Sequence, residues 1–242
     1  MSQKPPATVN SSRRTLVIAL VVVATLLIGA LVGGEVFARH KVSHCISTQF
    51  EKEMGSKIDV GFGWKPMLVT WVDGKVSEVT VDSDDSKFGP AVGMVVHARF
   101  NGVDVKNGGQ GGGTIDSSSA DVTWNNDGIE KTLGALVSGV KSSASSGMLT
   151  LDVLGGLAQL QVQPKVTDGV VQIDTKSAQL LGMGLPTDLV QGIVDVFSQS
   201  LQSYPLGMKA TDIKVTDDGI EVKLAGGHTE LTADPKAENV RC

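Results

Sequence analysis

At 242 residues, with 21 lysines and arginines against 26 aspartates and glutamates, the chain is mildly acidic, net −5. Lys4, Arg13 and Arg14 precede an uncharged run and no basic run follows it, which excludes a clustered phosphate-binding surface for nucleic acid and a polybasic grip on anionic headgroups. Aromatics are only 4% and glycines number 29, which favours many turns over long helices.

Residues 1–14 form a short polar tail containing Pro5 and Pro6. Leu16 to Val32 carries no charge. With its flanks, the predicted anchor over 15–34 makes about 30 Å of helix, the thickness of a bilayer core. The cations before it place the N-terminus in the cytoplasm and the rest outside, as a single-pass cell-membrane protein facing the periplasm or cell-wall space. A cleaved signal peptide with a Val36-Phe37-Ala38 site is the alternative, although its apolar region is normally about 7 to 15 residues. Either way the remainder is exported. Val42, Ser43 and His44 make no lipobox before Cys45.

The two cysteines, Cys45 and Cys242, predict one disulfide in an oxidising compartment. Closing so long a loop contributes up to about 5 kcal/mol in the chain-entropy account. Two unpaired thiols are the alternative.

A stem helix is expected over 35–56, with Phe37, Val42, Cys45, Ile46 and Phe50 as its apolar stripe. It either continues the anchor or follows a break at Gly33-Gly34. His40 and His44 have metal-ligand spacing but lack a third ligand at a known interval. Ile58, Val60, Phe62 and Trp64 alternate as a strand. Pro66 then opens a short amphipathic helix through Met67, Leu68, Trp71 and Val72, with a strand ending in an Asp73-Gly74 hairpin as the alternative. Residues 75–82 read as a strand, and the acidic run 82–86 as a solvated turn. It lacks the glycine and glutamate of a calcium loop.

Residues 94–105 read as a strand pair or one long bent strand. The glycine-rich 107–113 has no Gly-Lys-Ser/Thr ending and reads as a linker. Residues 114–124 are strand-like. Asp127 and Glu130 resemble a capping box, and Ile129, Leu133, Leu136, Val137 and Val140 follow helical spacing. The serine-rich 141–147 reads as a loop dividing two lobes of a domain spanning 57–242. Residues 158–166 and 171–175 make a hairpin about Asp168-Gly169, with Pro164 at an edge or a bulge. After Leu185-Pro186, Thr187 or Asp188 caps the clearest helix of the chain. Leu189, Ile193, Phe197 and Leu201 recur every four residues, beside Val190, Val194 and Tyr204. A last hairpin turns at Asp217-Asp218-Gly219. The fold class is α+β with antiparallel strands.

No nucleophile elbow, zinc-protease motif or dinucleotide fingerprint occurs. The expectation is a non-enzyme without cofactor or metal.

One ordered series of short motifs remains. It comprises Lys65-Pro66-Met67-Leu68, a glycine-initiated strand from Gly74 to Val81, a helix over 127–140, Leu185-Pro186 before a long helix, and a closing Asp-Gly hairpin with Gly226 behind it. In this order the chain resembles the LmeA-type phospholipid-binding proteins of the actinobacterial cell envelope, over about Ile58 to Leu231. The resemblance implies curved antiparallel strands around two or three amphipathic helices, with an apolar cavity similar to tubular lipid-binding domains. It also implies phospholipid binding, with a link to lipoglycan assembly, and no catalysis. Near Pro66 only Lys57, Lys65 and Lys75 supply cations, so no phosphoinositide preference is implied.

The expected function is therefore phospholipid binding by a membrane-anchored envelope protein. Phe62, Trp64, Met67, Leu68 and Trp71 from the Pro66 region, and Leu189, Ile193, Val194, Phe197 and Leu201 from the long helix, are the candidate cavity residues. The alternative is a structural or partner-binding envelope protein with a filled core. The sequence names no protein partner.

Overall fold

The computed structural model describes residues 11–54, 56–88, 91–105, 112–180, 183–202 and 204–231. Its first element, α1 (Ser11–Met54), is one continuous helix of 44 residues, about 66 Å long at 1.5 Å per residue. Gly33 and Gly34 leave it unbroken. A glycine costs a helix only about 1 kcal/mol. Among the described residues α1 is the one helix long and apolar enough to cross a membrane, and residues 20–33 are exposed throughout.

There follow β1 (Asp59–Phe62), α2 (Met67–Asp73), β2 (Lys75–Phe88), β3 (Ala91–Val105), β4 (Gly113–Ile115), β5 (Ser117–Asn125) and α3 (Asn126–Leu133). Then come β6 (Val137–Ser143), β7 (Met148–Val153), β8 (Ala158–Thr167), β9 (Val170–Leu180) and β10 (Met183–Gly184). The helix α4 (Thr187–Gln202) leads to β11 (Lys209–Val215), β12 (Gly219–Gly226) and β13 (Thr229–Leu231). One sheet has the order β1-β2-β3-β5-β12-β11, with β4 beside β3 and β13 beside β4. The second has the order β10-β9-β8-β7-β6. The pairings are antiparallel and neither sheet closes into a barrel, so the fold is α+β.

A single apolar cluster joins the two sheets. Trp124, Ile220 and Val222 enter it from the first, and Leu149, Leu151, Leu160 and Val162 from the second. Ile129 and Leu133 of α3 and Ile193, Phe197 and Leu201 of α4 complete it. The four-residue recurrence on α4 thus faces the core, while Gln191, Asp195, Gln199 and Gln202 are exposed. Beyond its C-terminus the Tyr204 hydroxyl accepts a 3.0 Å hydrogen bond from the Val171 N–H on β9. Burial pushes that phenol above its usual pKa.

Three elements, α3, β6 and β2, differ from the sequence reading. Helix α3 ends at Leu133 instead of Val140. Gly134, at φ +57°, turns the chain out of the helix. Val137 and Val140 belong to β6, whose register against β7 shifts between Val137 and Gly139. The extra residue turns both valines to the buried side, so a bulged strand reproduces helical spacing. The cap of α3 is Asn125, whose side-chain oxygen accepts from the Gly128 N–H at 2.7 Å, two residues before the expected Asp127. Residues 82–86 are no turn but continue β2, because β3 is there to pair with them, with register shifts after Ser83 and Ser86. The serine-rich 141–147 is the end of β6 and its turn into β7.

Residues 94–105 lie in one long strand, and 114–124 divide between β4 and β5. Of the glycine-rich stretch, 107–111 lies outside the described residues. Pro164 takes the edge setting, two residues beyond a register shift. The pairing of β7 with β8 stops at Val162, and the register with β9 shifts between Gln161 and Val162.

Candidate lipid-facing site

The site is organised by where α1 meets the strands. Ser47 on α1 donates its hydroxyl to the Ile58 carbonyl. Two turns nearer the apolar run, Arg39 donates to the Phe62 carbonyl at 2.9 Å and to the Lys65 carbonyl at 2.8 Å. One turn further, Glu35 accepts the Met67 N–H at 2.8 Å and pairs with Arg39 at 2.6 Å. The chain therefore descends α1 toward its apolar segment. Eight helical residues from Ser47 to Arg39 span about 12 Å and four strand residues from Ile58 to Phe62 about 13 Å, so the two rises match. The guanidinium does three jobs in one fork, a geometry lysine cannot supply.

At the foot of this descent lies α2. Lys65 pairs with Asp73 at the far end of that helix and also donates to the Lys75 carbonyl at 2.8 Å. The Lys65 hydrogen bond holds the Asp73 carboxyl below the usual aspartate range. Both ends of α2 are thus tied to the level of Lys65, and the helix lies across the end of the first sheet.

Register defines the adjoining apolar face. Residues directly opposite on neighbouring strands point to the same side. Val60 pairs with Val81, Val81 with Ala98, and Ala98 with Ala120. One row nearer α2, Phe62 pairs with Val79 and Val79 with Phe100. Ala98 and Ala120 belong to the core, and Val81 and Phe100 pack against it. Val60, Phe62 and Val79 are half-buried and carry the same apolar face outward toward α1 and α2.

The sequence-predicted residues fall into two groups. Phe62 and Met67 are half-buried and Trp64 is 88% exposed, all beside the α1 clamp. The side chains of Leu68 and Trp71 lie outside the described ones. On α4, Leu189 and Val194 are half-buried, whereas Ile193 and Phe197 are 0% exposed and Leu201 is 5% exposed. Phe197 sits edge-on to Trp124, ring centres 5.6 Å apart. Ile193 and Phe197 are therefore packed within the core instead of lining an open surface.

Val79, Val81 and Phe100 were visible as alternating strand residues but not as members of a site, because only register places them beside Phe62. Two open clefts exist elsewhere. One of about 220 Å³ is lined by Lys65, Lys75, Val103, Asp104 and Thr114 among others. Another of about 370 Å³ is lined by Leu157, Gln159, Gln161, Ser177 and Gln179 among others. Neither touches α4. His40 and His44 stand with ring centres 6.1 Å apart. Among the described residues no group of three or more His, Cys, Asp or Glu could hold a metal ion. Cys45 is half-buried on α1, and Cys242 lies outside the described residues.

Comparison with known proteins adds the family. The profile described as LmeA-like phospholipid-binding matches residues 29–225. Similar proteins include the uncharacterized proteins Rv0479c and MT0497 of Mycobacterium tuberculosis and Mb0489c of Mycobacterium bovis. Each is 28% identical over 234 residues, covering 90% of this chain and 67% of the relative. No solved structure matches. The matched span runs from inside α1 to the end of β12 and takes in the clamp, the apolar sheet face and α4, so this chain belongs to the LmeA-like phospholipid-binding family.

Proposed function

We propose that this protein binds a phospholipid without catalysing a reaction on it, while α1 anchors it in the membrane. The acyl chains would lie along Val60, Phe62, Val79, Val81 and Phe100. Their inner ends would meet α4 at Leu189 and Val194, and would reach Ile193, Phe197 and Leu201 only as α4 moves aside. Trp64 and Met67 would bound the outer end. The observation that carries this reading is the half-buried apolar row continuing the core face toward α1. It would let a lipid pass from bilayer to protein without exposing its chains to water. Family membership supports the ligand class.

The folded domain would stand on the outer side of the membrane, serving envelope lipid or lipoglycan assembly, and Cys45 would pair with Cys242. No described cysteine is a free thiol, which supports the pairing.

The test is photolabelling of the full chain in liposomes with a phospholipid carrying a diazirine on its acyl chain. Crosslinks are expected on 60–62, 79–81 and 98–100 as well as on α1. Labelling confined to α1 would favour the structural, filled-core reading, which the complete burial of Ile193 and Phe197 otherwise supports.

A further inference from the structure

Helix α2 and Trp64 just before it present apolar side chains to solvent. Trp64 is 88% exposed, Val72 89% and Val69 47%. Val69 and Val72 are three apart and share a face of α2. An exposed tryptophan and two exposed valines are costly in water. The clamp fixes the level along α1 at which they stand. Met67, the first residue of α2, is tied to Glu35, which follows the uncharged run of α1 by one residue beyond Gly33-Gly34. From Val32 to Glu35 the helix rises only about 4.5 Å. The other end of α2 returns to the same level through the Lys65–Asp73 pair. A helix held flat at that height lies where a bilayer core gives way to headgroups.

We propose that Trp64, Val69 and Val72 seat in the headgroup–acyl boundary of the bilayer that α1 crosses. The proposal rests on α1 being a membrane span, as read above. Tryptophan favours this boundary because its ring is apolar and its N–H can still meet water or headgroups. The charges nearby are paired, Lys65 with Asp73 and Arg39 with Glu35, which lowers the cost of bringing them close to lipid. Seating α2 holds the open end of the apolar row Phe62–Val79–Phe100 against the outer leaflet. The domain is then docked on the membrane surface and does not swing free on its stem.

The experiment uses the full chain with Trp71→Phe in phosphatidylcholine liposomes, with and without lipids brominated near the headgroup end of their acyl chains. Two tryptophans remain. Trp124 is 0% exposed and serves as the internal reference. The emission owed to Trp64, read as the difference from a further Trp64→Phe version, should fall about twofold or more in brominated vesicles and resist aqueous iodide. In case Trp71→Phe fails to fold, Trp64→Phe alone should reduce the lipid-quenchable emission of the otherwise native chain. Quenching of Trp64 by iodide and not by brominated lipid, in protein that floats with the vesicles, would overturn the docking alone. Protein that does not float would overturn the anchoring reading and the docking with it.

Discussion

Phe197 and Arg39 show how differently single residues hold this protein. Phe197 has no exposed surface and meets Trp124 edge-on. Trp124 is itself pinned by its indole N–H, which donates to the Val92 carbonyl at 2.9 Å. Truncation cannot be absorbed by collapse from a side already hydrogen-bonded in place. Phe197→Ala is expected to cost about 3 to 5 kcal/mol, read from the urea midpoint at unchanged slope. A loss under about 1 kcal/mol would show that the contact between α4 and the first sheet is loose. Arg39 works through geometry instead. Its fork reaches two carbonyls and one carboxylate.

At the scale of elements, α2 and its exit turn carry the coupling between helix and sheet. Gly74 closes α2 in the left-handed region at φ +70°, its N–H donating to the Thr70 carbonyl. Its own carbonyl accepts from Val105 at 2.9 Å, joining the turn to the end of β3. A Cβ there would stand 2.8 Å from the Val105 carbonyl oxygen, which is backbone and cannot rotate away. Gly74→Ala should therefore cost at least the 1–2 kcal/mol, roughly, of a left-handed alanine. Denaturant titration checks this, and a change within about 0.5 kcal/mol of zero, the usual surface effect, would contradict it.

For the molecule as a whole, the side of the membrane and the cysteine pairing share one consequence. An exported domain meets an oxidising compartment, whereas a cytoplasmic one keeps its thiols reduced. Protein alkylated at harvest and mapped without reduction should yield one linked peptide pair holding Cys45 and Cys242. Two alkylated thiols in protein taken from an oxidising compartment would refute the pairing. The tie would add the C-terminus to the contacts that already bind α1 to the sheet at Ser47, Arg39 and Glu35.

Local pattern by itself determined the uncharged span, the short helix after Pro66, the α4 stripe, the alternating strands and the turn at Asp168-Gly169. These depend on neighbours within a few residues, so the signal is local. It failed where a distant strand decided the outcome. Val137 and Val140 are three apart and helical in spacing, yet β7 captures them in a bulged strand. Residues 82–86 are polar enough for a turn, yet β3 lies opposite and continues the ladder. The candidate site divides the same way. Phe62 and the apolar face of α4 were legible as apolar positions. That Phe62 stands in line with Val79 and Phe100, and that Arg39 and Glu35 bring α2 to the end of the apolar helix, was not. Strand register and hydrogen bonds across more than twenty residues are set by the whole pattern of burial, and only the folded chain brings those partners together.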